Sequence, residues 1–225
     1  MPNNLLFDFA AIVFMLASWV GYSRYSFYAA SRRPSLMSAM QEQRIRWMRQ
    51  MVTRENRITD ATVVGNQLRG VTFFASTTVL IIAALVSLFA ASGNVAELLS
   101  LVPKASPQSL ALIDLKLATL LAAMIYAFFR FTWSLRQYKF LGVIVGAAPP
   151  HTADKATQEK CAQKAATLAN AGSYAFNGGL RSYYFCLAML TWFVHPLALV
   201  LSTTLVVAVL YYREFHSAAV LGLND

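Results

Sequence analysis

A chain of 225 residues that is 57% hydrophobic and only 13% charged, with a mean hydropathy of +0.49, lies outside the composition of water-soluble domains. The net charge of +9 would suit nucleic acid, but the basic residues flank long apolar runs, where retention of positive charge on the cytosolic side explains them, so no nucleic-acid partner is expected. The two cysteines, Cys161 and Cys186, fall in a reduced compartment or in lipid, which excludes a disulfide scaffold.

Crossing the hydrocarbon takes about 20 apolar residues wound as a helix, because lipid offers no other partner to backbone polar groups. The first such stretch is 5–23, with the single charge Asp8. No basic residue precedes Leu5 and the positive charge follows the run, so the pattern is that of a retained span and not of a signal peptide. In the loop 24–70 an amphipathic helix is expected, capped by Ser35 or Ser38 after Pro34. Met37, Met40, Trp47, Met48, Met51 and Ile58 fall on one face, opposite Arg46, Arg49, Arg54 and Arg57, which suits a helix lying on an anionic leaflet.

The second span, 71–91, carries no charge. The third, 110–133, holds Asp114, Lys116 and Arg130 around an uncharged centre, and the short run Phe140 to Ala148 reads as its extension or as an interfacial turn, stopped by Pro149 and Pro150. In the loop 134–181, Thr152 can cap a second amphipathic helix whose face holds Cys161, Ala165, Leu168, Ala169, Gly172 and Phe176. Small residues at that spacing suit docking on protein, and the two amphipathic helices packing on each other under the membrane is an equal alternative. Gly178 and Gly179 read as a break before the fourth span, 182–212, which is about 46 Å long at ~1.5 Å per residue and must tilt, kink at Pro196 or protrude.

The whole of 1–225 is therefore expected to be one all-α integral membrane domain with four transmembrane helices and two cytosolic amphipathic helices. Sixteen of the nineteen Lys and Arg residues fall in the segments 24–69 and 130–181, the two loops with the adjoining Arg130, against Lys104, Lys116 and Arg213 outside them. That asymmetry places both loops in the cytosol and both termini outside, in the inner membrane of a cell. The chain also divides into two hairpins of like plan, with Asn66, Leu68-Arg69 and Phe73-Phe74 echoed by Asn177, Leu180-Arg181 and Tyr184-Phe185, a pattern open to duplication or to coincidence.

Polar residues recur at helical spacing in every span. The stripes are Asp8, Ser18 and Tyr22; Arg69, Thr72, Ser76 and Ser87; Lys116, Thr119, Tyr126 and Arg130; and Arg181, Tyr184, Thr191, His195 and Ser202. They could line a path, for which Ser76, Thr119, Tyr126, Tyr184, Thr191, His195 and Ser202 are the candidates, or they could be hydrogen bonds between helices. Asp8, Asp114 and Lys116 share the outer depth, and a pairing of Asp8 with Lys116 across helices is expected. Arg69, Arg130 and Arg181 lie near the inner ends, where Arg69 and Arg181 precede outward-running helices, so they are candidates for an anion-attracting mouth or for plain anchoring. His195 is placed at mid-membrane depth, as a proton relay or as a packing residue.

No paired carboxylates, metal-spaced cluster or nucleophile elbow is present in the sequence, so neither enzymatic activity nor a metal or other cofactor is expected. The segments Arg54 to Arg57, Asn66 to Gly70, Ala75 to Thr78 and Phe176 to Phe185, with Trp192-Phe193 and Pro196, resemble the domain-of-unknown-function 599 family of multi-pass membrane proteins from bacteria and plants. The resemblance implies a four-helix membrane fold and brings no activity or site residue. The functional expectation is a homo-oligomer that forms or regulates a path for a small ion or solute, with a non-transporting scaffold or sensor binding anionic lipid or a partner as the alternative.

Overall fold

In the computed structural model the chain is described over residues 2–30, 32–101, 108–218, 220 and 222, the side chains of 2–5 and 30 excepted. Lys104 and the last residues of the chain, which entered the charge and terminus expectations, lie outside the described residues. All described secondary structure is helical: α1 (Pro2–Ala30), α2 (Leu36–Thr53), α3 (Ile58–Ala90), α4 (Ser92–Ser100), α5 (Leu110–Gly146), α6 (Lys155–Trp192) and α7 (Pro196–Phe215). Four of them, α1, α3, α5 and α7, are long and apolar enough to cross a membrane.

The helices outrun the apolar stretches wherever nothing interrupts them. α3 starts 13 residues before Val71, at Ile58, and α5 runs on through Phe140 to stop before Pro149 and Pro150. Ser35 caps α2, its hydroxyl accepting the Ser38 N–H while the Ser38 hydroxyl accepts the Ser35 N–H in return. Asp154, and not Thr152, caps α6 by accepting the Thr157 N–H at 2.9 Å. That exposed carboxyl is held below the usual aspartate range by its bonds to the Thr157 hydroxyl and amide.

The last third of the chain departs from expectation. Residues 182–212 are not one helix: α6 runs unbroken through Gly178 and Gly179 to Trp192, and α7 begins anew at Pro196. Proline stands at the first helical position of α7, where its missing N–H costs nothing, and His195 is its cap. α7 then folds back along α6, with Thr191 Oγ1 2.9 Å from Ser202 Oγ near the turn and Arg213 donating to the Tyr184 hydroxyl at the far end. Asp8 on α1 meets Trp192, whereas Glu214 on α7 meets α2, so the start of α1 and the end of α7 lie at opposite ends of the bundle. Termini on one side are the expectation, whereas this hairpin turns the end of α7 away from the start of α1. The two-hairpin repeat fails at the same place, since α2 and α3 are separated by a turn while their counterparts are fused into α6.

α6 is the axis of the molecule. Its second half carries Asn177, Arg181 and Ser182, too polar for an exposed apolar span, and it is enclosed by α5, α7 and α1. The glycine pair lets α5 approach: a Cβ at Gly178 would stand 2.4 Å from the Arg130 guanidinium, and one at Gly179 would stand 2.5 Å from the Phe131 ring. Phe131 is fully buried among Phe74, Phe176 and Tyr183. The first half of α6 packs its alanine face, Ala162, Ala165, Ala166 and Ala169, against α5 and α2. The C-terminal part of the apolar face of α2, with Met48, Met51 and Val52, is buried in that same cluster and lies on protein, whereas Met40 and Ile58 of the expected face are exposed. Arg57 ties the assembly together by donating to the carbonyls of Met51 and Val52 at the end of α2 and of Ala148 and Pro149 after α5.

Two outcomes are expected from this packing. Gly179→Ala drives a methyl into a rigid buried ring and should lower stability by about 1–3 kcal/mol, whereas Gly178→Ala meets the movable Arg130 side chain and should cost less. Arg57→Ala removes charged hydrogen bonds to four helix-end carbonyls and should cost about 2 kcal/mol. Unfolding of the detergent-solubilised chain measures all three, and equal loss in the two glycine variants would contradict the close-approach argument.

Candidate functional site

The two ends of the bundle differ in how they treat charge. At the Asp8 end, Lys116 is 2% exposed, and its ammonium lies 3.3 Å from Asp8 Oδ1, 2.9 Å from Gln108 Oε1 and 2.8 Å from the Trp192 carbonyl. The Trp192 indole donates to the same Asp8 oxygen at 2.6 Å, and Gln108 donates to the Phe193 carbonyl. Lys116 and Gln108 thereby satisfy carbonyls at the C-terminus of α6, which helix geometry leaves without donors. Asp8 and Lys116 thus meet across helices, as their matched depth predicts. Asp114 stands apart with Oδ1 buried and without a hydrogen-bond partner among the described residues.

Most path candidates do not converge. Ser76 is exposed together with Arg69, Thr72 and Ser87, because α3 turns Val71, Ala75, Thr78 and Leu85 inward instead. The inward hydroxyl is Thr78, bonded to the Tyr183 hydroxyl at 2.6 Å. Thr119 bonds back to its own helix at Leu115, and Tyr126 is half exposed against Trp19. Thr191 and Ser202 pair with each other between α6 and α7. His195 is exposed at the α6–α7 turn, its Nδ1 accepting the Leu197 N–H at 3.1 Å, so it sits at the Asp8 end and not halfway along a span.

The three arginines expected at one mouth also separate. Arg69 and Arg181 are interior to long helices, so neither stands at the N-terminus of its own helix. Arg69 is exposed and bonded to Asn66. Arg130 lies over the Tyr174 ring and donates to the Tyr174 carbonyl at 3.0 Å. Arg181 alone turns inward, 8% exposed, donating to the Ser26 hydroxyl at 2.6 Å.

Arg181 lines a cavity of about 600 Å³ at the α2 end, bounded by α1, α2, α3, α5, α6 and α7. Tyr184, another path candidate, lines it too, together with Arg213 and Arg44, neither of which the sequence reading assigned to a site. Arg44 donates to Asn170 Oδ1 at 2.6 Å, and burial pulls its guanidinium below the usual arginine range, partly offset by the Tyr138 phenol; it stays a cation at neutral pH. Met37, Met40, Phe176, Leu180 and Leu210 complete the apolar share of the lining. The lining contains one carboxylate, Glu214, and it accepts the Met37 N–H in the first turn of α2 at 3.0 Å. Arg44 escapes a sequence reading because it becomes a lining residue only when α2 docks on α6.

A family model described as protein of unknown function, DUF599, matches residues 10–219. No curated protein matches the chain. No solved structure matches it either.

The Asp8 end generates a stability prediction. Lys116→Met leaves a buried carboxylate without its cation and should cost about 3–5 kcal/mol. Asp8→Asn keeps an acceptor for the Trp192 indole while removing the charge, and the double variant should be more stable than Lys116→Met alone. A double-mutant cycle on thermal unfolding reads the coupling, and strict additivity would mean that the pair contributes nothing.

Proposed function

The chain belongs to the DUF599 family, and from that premise we propose that it is an integral membrane protein of the inner membrane that holds a small amphiphile in the cavity at the α2 end. The observation that carries this reading is the mixed lining: three guanidinium groups, Asn177 and Gln67 share one cavity with Met37, Met40, Phe176 and Leu210. A ligand with a polar head and an apolar body matches such a wall. Its depth agrees. Ser26, which holds Arg181, is eighteen residues from Asp8 along α1, about 27 Å at ~1.5 Å per residue, so the cavity lies at the headgroup level of one leaflet.

That leaflet is the cytosolic one on the charge rule. With α7 returning to the α2 end, Arg213 joins the sixteen basic residues of 24–69 and 130–181 and leaves Lys116 on the other side. The start of α1 is then outside and the end of α7 in the cytosol, with α1, α3, α5, α7 and the second half of α6 as five crossings. Binding without catalysis is the reading the lining supports, since it combines one engaged carboxylate with no histidine or cysteine.

A second reading, a path for a small ion or solute between copies of the chain, is favoured by one observation. Arg69, Thr72, Ser76 and Ser87 form an exposed polar stripe on the apolar helix α3, where a partner copy would shield them from lipid.

Three measurements test these proposals. In a background without Cys161 and Cys186, a membrane-impermeant thiol reagent added to intact cells should label Asn94→Cys and spare Asn56→Cys and His216→Cys; labelling of His216→Cys would reverse the proposed return of α7. Native mass spectrometry of the full chain should show retained amphiphile that Leu210→Trp and Met40→Trp displace by filling the cavity. Adducts that persist in both filled variants would sink the cavity reading. Ser76→Cys should cross-link between copies if the path reading holds, and no cross-link in the membrane would remove its support.

A further inference from the structure

Elsewhere in the molecule buried Lys116 meets Asp8, and half-buried Arg54 and Arg57 meet Asp60 and four backbone carbonyls respectively. The cavity departs from that pattern. No carboxylate among the described residues lies within 4.0 Å of Arg44, Arg181 or Arg213, whose partners are the neutral oxygens of Asn170, Ser26 and Tyr184. Glu214 is engaged by the Met37 amide, so the lining carries three positive charges against one negative. Glu214 acts on the Arg181 guanidinium only through space, and burying a guanidinium without a directly paired carboxylate is costly. An anion that enters the cavity removes that cost.

Resting on the amphiphile reading above, we infer that the ligand's head is a phosphomonoester, a dianion near neutral pH, with Arg181 as its buried anchor and Arg44 and Arg213 as flanking contacts. The charge excess in the lining matches two negative charges, where a phosphodiester head brings one and a zwitterionic head none. Each guanidinium keeps N–H groups beyond the one its neutral partner uses, and the planar fork suits phosphate oxygens. A phosphomonoester's second ionisation falls near pH ~6, so the match holds above that pH and weakens below it.

The test uses the full chain in detergent, with dioleoyl phosphatidic acid, phosphatidylglycerol, phosphatidylcholine, glycerol 3-phosphate and inorganic phosphate as probes, read by native mass spectrometry. Phosphatidic acid should be retained about tenfold more strongly than phosphatidylglycerol, the preference narrowing below pH ~6. Arg181→Gln should weaken that retention about tenfold, and exposed Arg213→Gln, which cannot unfold the core, should weaken it severalfold, while Arg24→Gln outside the cavity leaves it unchanged. Equal retention of phosphatidic acid and phosphatidylglycerol, displaced by Leu210→Trp, would overturn the dianion inference and leave the amphiphile reading standing. Glycerol 3-phosphate binding as tightly as phosphatidic acid would uphold the phosphomonoester head and overturn the amphiphile body. Phosphatidic acid retained undiminished in both Leu210→Trp and Met40→Trp would overturn both.

Discussion

The constraint on which the rest of the structure depends is that α6 must be enclosed. Its second half carries Asn177, Arg181 and Ser182 through the thickness of a bundle whose other long helices are apolar. A segment of that polarity has no stable position facing lipid, so α5, α7 and α1 enclose it. The glycine pair that removes side chains between α5 and α6 allows this, and so does the α7 hairpin that covers the opposite face. The end of α6 also needs closing, and Lys116 and Gln108 supply the donors that its last carbonyls lack.

Enclosure leaves the two ends in contrasting states. At the Asp8 end every donor of the Lys116 ammonium has an acceptor, and the carboxylate opposite it is held by the Trp192 indole as well. Such a fully satisfied buried cluster fixes geometry and has no capacity left for a ligand. At the α2 end the helices line a cavity, where the guanidinium groups hydrogen-bond to neutral oxygens and Glu214 is the one carboxylate among the described lining residues. Binding capacity therefore concentrates where charge is left uncompensated.

Much of the fold was legible and the errors have physical causes. Apolar length gave α1, α3 and α5, and the Ser35 cap and the Asp8–Lys116 meeting follow from local pattern and matched depth. Hydropathy, however, reports exposure to lipid, so the shielded half of α6 was merged with α7 into one span. The sequence Trp192 to Pro196 holds the signal that separates them, because proline is tolerated at the start of a helix far better than inside one. The polar stripes misled for another reason. Thr72, Ser87 and Thr119 bond to carbonyls four residues back on their own helices, at 2.8, 3.1 and 2.7 Å, and hydroxyls satisfied in that way have no need to face inward.

That difference between hydroxyls and guanidinium groups separates the candidate residues by what they can mean. A serine or threonine within a helix satisfies its hydroxyl locally, so its position on a face carries little information about water or ligand. A guanidinium presents five donors and a fixed charge, which its own helix cannot satisfy, so its surroundings must answer for it. Arg69 is answered by its exposed position and Asn66, and Arg130 in part by the Tyr174 carbonyl and ring, its Nε being buried without a hydrogen-bond partner among the described residues. Arg181, 8% exposed, has one serine hydroxyl and the more distant charge of Glu214, and the cavity beside it is where an anion would complete it.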